Sequence, residues 1–287
     1  MKLDILSKNE ALLVAISCLF TGFFASGLLH LAITQFTDSA TWENVALILG
    51  EVAMILPILY VLNLRQQRLR TFIPRKKLSP ALITTIVVFA LGMLIMLDGL
   101  SAILDQFFTV PKWLEEMEAG LLWQSTPELI MLIIAGVIVA PVIEELIFRG
   151  FLQQSMAGYY QHLLPAIVAP AVLFTIFHVQ YLMYLPAAVE LLLLALAFGW
   201  VMGKTGNLWA PILLHALNNL ASLIWLGTAH DSPGFIQVEN PPSWGWFVPG
   251  LLFLGFAMWR LNREPDYIPF PLIIEGTRKP EDDGENR

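Results

Sequence analysis

The sequence predicts an all-α, polytopic integral membrane protein with about eight transmembrane helices and both termini on the cytoplasmic side. Its 287 residues are 57% hydrophobic and only 14% charged, whereas a soluble domain carries about 25% charged residues. The mean hydropathy is +0.68. Polar breaks divide the chain into apolar runs of the length that crosses a bilayer, and basic residues fall on one side of those runs.

Eight apolar runs define the predicted helices, since lipid offers no hydrogen-bonding partner for an open strand edge. The runs cover residues 11–34, 44–64, 80–104, 127–148, 164–184, 186–203, 208–227 and 245–261. The first follows Lys2 and Lys8 as a signal peptide would, but its apolar core is too long, so we expect an uncleaved helix. We therefore expect one membrane domain over residues 1–261 and a polar, flexible cytoplasmic tail over 262–287.

Lysine and arginine determine the predicted orientation, because they are retained on the cytoplasmic side. With the N-terminus inside, only Lys112 falls outside. The residues expected to face the cytoplasm are Lys2, Lys8, Arg65, Arg68, Arg70, Arg75, Lys76, Lys77, Arg149, Lys204, Arg260, Arg263, Arg278, Lys279 and Arg287. The cluster at 65–77 has a plain topological role in this interpretation, and attraction to anionic lipid headgroups is the alternative.

The net charge argues against a nucleic-acid-binding protein, and the cysteine content excludes an intramolecular disulfide. A net charge of −7 gives no basic surface for nucleic acid, so we expect no nucleic-acid partner. The single cysteine, Cys18, cannot form an intramolecular disulfide. The expected partners are membrane lipids and a peptide or lipidated protein substrate.

The fourth apolar run ends in a cluster of ionisable residues, which inside a membrane usually mark a site. Glu145 and Arg149 are four residues apart on a helix and can pair. Glu144 is turned about 100° away from Glu145 and lacks that partner. The cluster therefore predicts a general base beside a charged orienting group. The alternative is two interfacial glutamates and an arginine that extends to the headgroups.

Two later runs contribute histidine and asparagine. His178 alone is typical of a hydrogen-bonded structural histidine, and Phe174, one turn before it, is expected to be packing. His215 and Asn219 lie on one helix face, where the amide would either hold the imidazole or donate to a developing oxyanion. The alternative is that they join membrane helices by hydrogen bonds.

Taken together, the glutamate, the two histidines and the asparagine on three helices predict a hydrolytic site. Glu144 could take a proton from water, while histidine and asparagine polarise a carbonyl. The same residues Glu144, His178 and His215 could instead bind a divalent metal such as zinc. A His-Glu-x-x-His zinc signature is absent from the sequence, and the residues leave the two possibilities open.

A depth comparison tests whether the predicted residues can meet. With 1.5 Å per residue and a fourth helix ending near residue 153, Glu144 lies about 13 Å from the cytoplasmic end and His215 about 12 Å. His178 falls at about 21 Å, deeper than the other two. Helix tilt or a late start of the fifth helix is needed to bring it to them.

Three motifs in this order, Glu144-Glu145-x-x-x-Arg149, Phe174-x-x-x-His178 and His215-x-x-x-Asn219, resemble the CPBP family of intramembrane proteases. That family includes CAAX prenyl endopeptidases of the Ras-converting type and Abi-like bacterial homologues that process bacteriocins or confer self-immunity. The resemblance covers about residues 125–227. It implies a helical membrane fold in which Glu144 activates water, Glu145 and Arg149 support it, and His178, His215 and Asn219 complete the site.

The function expected from these residues is an intramembrane endopeptidase, metallo- or glutamate-dependent, acting near the cytoplasmic face on a membrane-associated or lipidated peptide or protein. A non-catalytic scaffold or immunity protein is the alternative, and an ion-coupled transporter is another. The expected location is the plasma or inner membrane of a bacterium or the endoplasmic reticulum of a eukaryote. Glu51, Asp98 and Glu190 lie in other apolar runs without an assigned role.

Overall fold

A computed structural model describes residues 6–37, 40–71, 73–229 and 244–268. Helices account for nearly all regular structure in these ranges, and the one β-type pairing there is an isolated bridge between Arg75 and Asn207. The prediction of an all-α polytopic membrane protein is confirmed. The eleven helices named here are α1 Lys8–Ile33, α2 Ala40–Ala53, α3 Leu56–Leu64, α4 Pro80–Leu104, α5 Lys112–Ala119, α6 Thr126–Tyr160, α7 Leu163–Phe177, α8 Val179–Leu182, α9 Leu185–Thr205, α10 Trp209–Ala229 and α11 Phe247–Leu261.

Six segments of the described chain are long and apolar enough to cross a membrane, and two shorter apolar helices accompany them. The six are Lys8–Ile33, Thr41–Leu64, Pro80–Leu104, Thr126–Tyr160, Leu185–Thr205 and Trp209–Thr228, and the shorter pair is Leu163–Phe177 and Phe247–Leu261. Every predicted run overlaps one of these. A count of eight spans and the side on which each terminus lies remain predictions.

Two predicted helix ends are wrong. The fourth run was expected to end at 148, with its helix reaching 153, but α6 continues to Tyr160. Its last turns are buried against α1 and α7, so packing within the protein extends the helix. The fifth run was expected to reach 184, whereas α7 ends at Phe177 and His178 has non-helical φ and ψ of −89° and 56°.

Local sequence explains where α1 and α4 begin. The Ser7 hydroxyl accepts a hydrogen bond from the Glu10 amide, and the Glu10 carboxylate accepts one from the Ser7 amide. This reciprocal cap satisfies two amides that the helix itself cannot. Ser79 caps α4 in a similar way, with Pro80 at the first helical position, where a missing N–H costs nothing. Glu10 is therefore a capping residue of the first helix.

Glycines allow α4 and α11 to pack backbone against backbone. A methyl group at Gly92 would lie 2.6 Å from the Leu254 amide nitrogen, and one at Gly250 would overlap the Met96 backbone. Between membrane helices, close approach of this kind replaces the hydrophobic effect as a source of packing energy. The α4–α11 pair packs against α9 and α10, which position part of the candidate site.

Several basic residues meet at one end of the helix bundle. Lys8 at the start of α1 lies over the Tyr160 ring at the end of α6, and Arg65 after α3 pairs with Glu10. Lys204 at the end of α9 pairs with Asp266. The positions of lysine and arginine in the sequence predict that these residues share one end. Arg149 is the exception, since its side chain is only 1% exposed, and its assignment to the cytoplasmic surface is wrong.

The start of the predicted tail packs onto this end of the bundle. The Tyr267 amide donates to the Gly203 carbonyl over 2.6 Å, and its ring contacts the position of Gly206. Gly206 has a φ of +58° and ends α9 in the left-handed conformation that glycine tolerates best. The predicted flexible tail 262–287 is thus in contact with the bundle up to this point, and residues 269–287 lie outside the described residues.

Candidate active site

Helix α6 contains two segments with wide, π-type turns, Ile133–Val139 and Leu146–Leu152. In the first, the Ala140 amide donates to the carbonyl five residues earlier, and in the second the Gln153 amide does the same. The six residues between them, Ala140–Glu145, are α-helical and carry both glutamates. Wide turns of this kind are frequent at functional sites, because they redirect side chains within a helix.

Glu145 and Arg149 form the predicted ion pair. The Arg149 Nη1 atom donates to Glu145 Oε1 over 2.9 Å, and both side chains are almost completely buried. The second amino group, Nη2, donates to the Ala195 carbonyl of α9 over 2.8 Å. A buried carboxylate needs such compensation, because transferring an isolated charge from water costs several kcal/mol.

Three aromatic rings surround the Arg149 guanidinium. Its central carbon lies 5.7 Å from the ring centroid of Phe148, 5.1 Å from that of Phe174 and 5.3 Å from that of Phe198. Cation–π attraction strengthens when water is excluded, as it is here. The rings come from α6, α7 and α9, so they hold the ion pair at the junction of three helices.

His215 completes a chain of contacts that begins at Arg149. Its Nδ1 donates to Glu145 Oε1 over 2.9 Å, the oxygen that also accepts from Arg149. Because that acceptor is a carboxylate, Nδ1 carries the hydrogen, and Nε2 is the nitrogen left for other partners. Nε2 lies 3.9 Å from Glu144 Oε2. The two adjacent glutamates therefore differ in role, one holding the imidazole and the other facing it.

Phe198 and Phe174 orient the two histidines. The Phe198 ring stacks on His215 with centroids 4.7 Å apart and planes at 21°. The Phe174 centroid lies 4.4 Å from that of His178 and 6.0 Å from that of His215. Phe174 was expected to be packing, and it also links the two imidazoles. Phe198 was missed, because a phenylalanine in an apolar helix gives no signal in the sequence.

His178 joins the cluster from the end of α7. Its Nδ1 donates to the Phe174 carbonyl over 2.8 Å, which again leaves Nε2 available. The depth of about 21 Å expected for His178 was counted from the start of its helix, and α7 begins at Leu163, so a late start of this helix is not what brings His178 to the site. The depth of Glu144 assumed a helix end near 153, and with the end at Tyr160 it is about 24 Å of helix instead. Counting along the helices therefore places Glu144 and His178 at similar depths, and the contact of His215 with both glutamates is the one that the count does not predict.

Asn219 is bound to helix α6. Its Nδ2 donates to the Gly136 carbonyl over 2.8 Å. In the wide turn this carbonyl would accept from residue 141, but Pro141 has no N–H, so the asparagine supplies the missing hydrogen bond. The carboxylate of Glu145, and not the amide of Asn219, holds the imidazole. The second hydrogen of the Asn219 amide is left for another acceptor.

The donor set for a metal is incomplete. Within the described part of the chain, no three histidine, cysteine, aspartate or glutamate side chains are grouped so that they could hold one ion. Glu144 and His215 face each other, but His178 does not complete a three-ligand set with them. The predicted alternative of zinc at Glu144, His178 and His215 therefore lacks the geometry of a catalytic zinc site among the described residues.

Of the three polar residues left without a role, Glu51 lies near the site and the other two do not join it. Helix α2 packs on Ala140–Glu145, and Glu51 is close enough to Glu144 for their charges to interact. Glu190 instead lies close enough to Asp98 and Asp105 for their charges to interact, and Asp105 accepts a hydrogen bond from Tyr184 over 3.1 Å. Burial and that hydrogen bond raise the pKa of Tyr184 to about 12.

The fold and the site define a helical membrane protein with a cluster of glutamate, histidine and asparagine, in which Glu145 and His215 are buried and the other members are half-buried. Residues 126–221 match the family model described as type II CAAX prenyl endopeptidase, Rce1-like. The match begins at the first residue of α6, ends within α10 and contains all six predicted site residues. It confirms the resemblance to CPBP intramembrane proteases and supports a CAAX-type intramembrane protease in general terms. No curated protein and no solved structure matches the chain.

Proposed function

We propose that this protein is an intramembrane endopeptidase that hydrolyses a peptide bond of a membrane-associated or lipidated peptide or protein near the cytoplasmic face. The observation that carries the proposal is that the two adjacent glutamates, Glu144 and Glu145, make different contacts. Glu145 binds both Arg149 and His215, and Glu144 faces the free Nε2 of His215 at 3.9 Å. A carboxylate beside an oriented imidazole is an arrangement suited to general acid–base catalysis.

Water activation begins between Glu144 and His215. Their facing atoms are too far apart for a direct hydrogen bond, and a water about 2.8 Å from each would bridge them. Glu144 accepts a proton from this water as its oxygen attacks the substrate carbonyl carbon. A carbon–oxygen bond forms, and the carbonyl electron pair moves onto the substrate oxygen.

The second half of the reaction needs an oxyanion donor and an acid. The unused hydrogen of the Asn219 amide can donate to the oxyanion, and a protonated His178 can do so from Nε2. One such donor contributes about 10²–10³ in turnover. When the intermediate collapses, the proton held by Glu144 passes to the leaving nitrogen and the carbon–nitrogen bond breaks. The enzyme then returns to its starting protonation state.

Glu145, Arg149 and Phe198 are positioning residues in this proposal. Glu145 fixes the tautomer and direction of the imidazole, as the acidic member of a hydrolytic triad does. Arg149 balances the buried charge of Glu145 and connects it to α9.

A prenylated CAAX tail is one substrate of the proposed class, and a peptide precursor or a membrane-bound regulator is another.

The test is cleavage by purified protein in liposomes, with a mixed peptide library, a lipidated subset and mass-spectrometric readout. Wild-type protein is compared with Glu144→Gln, and Glu116→Gln is the matched control because that glutamate is exposed on α5. We expect wild type and the control to cleave and Glu144→Gln to be inactive while folded. Full cleavage by Glu144→Gln would remove this residue from the mechanism.

The same variant separates the alternative functions. A scaffold or immunity protein would perform its biological task with Glu144→Gln as well as with glutamate. A transporter would show solute movement that depends on Glu144, with no peptide product from either protein.

A further inference from the structure

Lys8, Lys76 and Arg263 at the basic end of the bundle lie over aromatic rings, and the other cations described there are of two kinds. Three have an acidic partner in the described chain. Arg65 pairs with Glu10 at 2.7 Å, Lys204 with Asp266 at 2.5 Å and Arg260 with Glu264 at 3.2 Å. These pairs neutralise much of the charge at the ends of α1, α3, α9 and α11.

The connector between α3 and α4 carries the other kind. Arg68, Arg70, Arg75 and Lys77 are exposed, and none has an ion-pair partner among the described residues. Their charge is therefore not compensated within the described chain. We call these four residues the connector cations.

Hydrogen bonds to residues 206–208 hold the second half of the connector, residues 74–76, in place. The Lys76 amide donates to the Gly206 carbonyl over 3.0 Å, and the Leu208 amide donates to the Pro74 carbonyl over 3.2 Å. The Asn207 side-chain amide also donates to the Lys76 carbonyl. A ligand bound here would order less chain than one bound by a flexible basic tail, and such preorganisation favours affinity.

The position of the connector in the chain indicates which kind of ligand its cations would meet. It begins directly after Leu64, the last residue of a candidate membrane span, and ends at Pro80, the first residue of the next. Cations so close to two span ends lie at the level of lipid headgroups. Three of the four are arginines, whose planar fork matches phosphate oxygens in pairs.

We propose that the connector cations form a binding surface for anionic phospholipid headgroups. The surface is separate from the candidate active site, so it can be tested without catalytic activity. The rival occupant is the acidic part of this chain's own tail, which contains Glu281, Asp282 and Asp283 and follows Tyr267, whose ring lies 5.0 Å from the Lys76 ammonium. The experiment distinguishes binding of this tail from binding of the lipid headgroup.

The experiment titrates the purified full-length protein in detergent with phosphatidylglycerol or phosphatidylcholine and counts bound lipids by native mass spectrometry. We expect phosphatidylglycerol to bind at least tenfold more tightly than phosphatidylcholine. Arg68→Gln with Arg70→Gln should reduce that preference at least threefold. The matched control is Arg260→Gln with Arg263→Gln, which removes the same charge from the same end of the bundle and should retain the preference.

Two further variants keep the result interpretable. Arg68→Lys with Arg70→Lys preserves charge and topology, so a reduced preference for phosphatidylglycerol in this folded variant shows that the arginine guanidinium groups recognise the headgroup.

Neutralisation of Glu281, Asp282 and Asp283 tests the rival occupant. Equal binding of the two lipids by wild type would overturn the proposal, and a preference that then appears in the neutralised variant would assign the surface to the tail. An unchanged preference in the Arg68 and Arg70 glutamine variant would also overturn it.

Discussion

The Nδ1 atom of His215 lies 2.9 Å from Glu145 Oε1, although the two residues are 70 positions apart in the chain. The same carboxylate oxygen accepts from Arg149. One buried atom therefore connects α6 to α10, and Arg149 extends the connection to α9 through the Ala195 carbonyl. Glu145 is the structural centre of the site, and its neighbour Glu144 is left to face the imidazole.

Glu145→Gln should destabilise the protein as well as slow the reaction. It removes the charge that compensates buried Arg149, and breaking a buried pair costs about 3–5 kcal/mol. The measurement is thermal unfolding in detergent beside turnover in liposomes. We expect Glu144→Gln, in contrast, to unfold within about 1 kcal/mol of wild type, since its side chain makes no ion pair with an arginine or lysine in the described structure.

The double variant Glu145→Gln with Arg149→Met separates stability from positioning. It removes both buried charges, and such replacements are often neutral for stability. Stability should return toward that of wild type while turnover stays low. If turnover returned together with stability, orientation of His215 by Glu145 would not contribute to catalysis.

Phe198→Leu should lower kcat about tenfold and leave KM nearly unchanged. The substitution removes the ring that stacks on His215 and contacts the Arg149 guanidinium, so the imidazole loses part of its fixed orientation. Phe89→Leu is the matched control, since Phe89 is about as buried as Phe198 but stacks on Trp200 and not on a histidine of the site. Equal effects of the two substitutions on kcat would indicate a general packing defect.

Asn219→Ala should reduce turnover by about 10²–10³, as expected for loss of an oxyanion donor. It also leaves the Gly136 carbonyl without its donor, which costs about 1–3 kcal/mol of stability. Asn218→Ala removes the neighbouring amide, which makes only a long 3.5 Å contact to Asn219, and should be nearly neutral. The reverse order of the two activities would assign the role to Asn218.

Chelation should leave cleavage unchanged, because no three suitable side chains of the described chain are grouped around one ion. The measurement compares initial rates before and after dialysis against a strong chelator. Loss of activity that zinc restores would establish a metal site, and it would require His178 to move toward Glu144 and His215.

Gly92→Ala should destabilise the α4–α11 pair by about 1–3 kcal/mol, the usual cost of overpacking. The added methyl group would meet the Leu254 backbone, which cannot move aside as a side chain can. Gly255→Ala is the matched control on α11, since nothing lies within 4 Å of its added methyl group. Equal melting temperatures for the two variants would contradict this account of the packing.

Local patterns were enough to predict much of the site. Spacing of four residues on a helix predicted the Glu145–Arg149 pair, because that contact depends on a single turn. The same rule left the partner of Asn219 open. The structure shows that it donates to the Gly136 carbonyl on another helix, which is the alternative of helices joined by a hydrogen bond. Arg149 was placed at the surface because its position near the end of an apolar run resembles that of a headgroup-facing residue. Its burial depends on three rings from three helices.

By itself, the sequence determined that the chain forms apolar helices in a membrane, where the helices lie and which polar residues interrupt them, since these follow from local hydropathy and helix periodicity. Only the tertiary structure decided where α6 and α7 end, which glutamate holds His215 and what Asn219 binds. The physical reason is that an apolar helix has no single buried face in its hydropathy pattern. Its rotation and contacts are set by wide turns, glycine contacts and hydrogen bonds between helices.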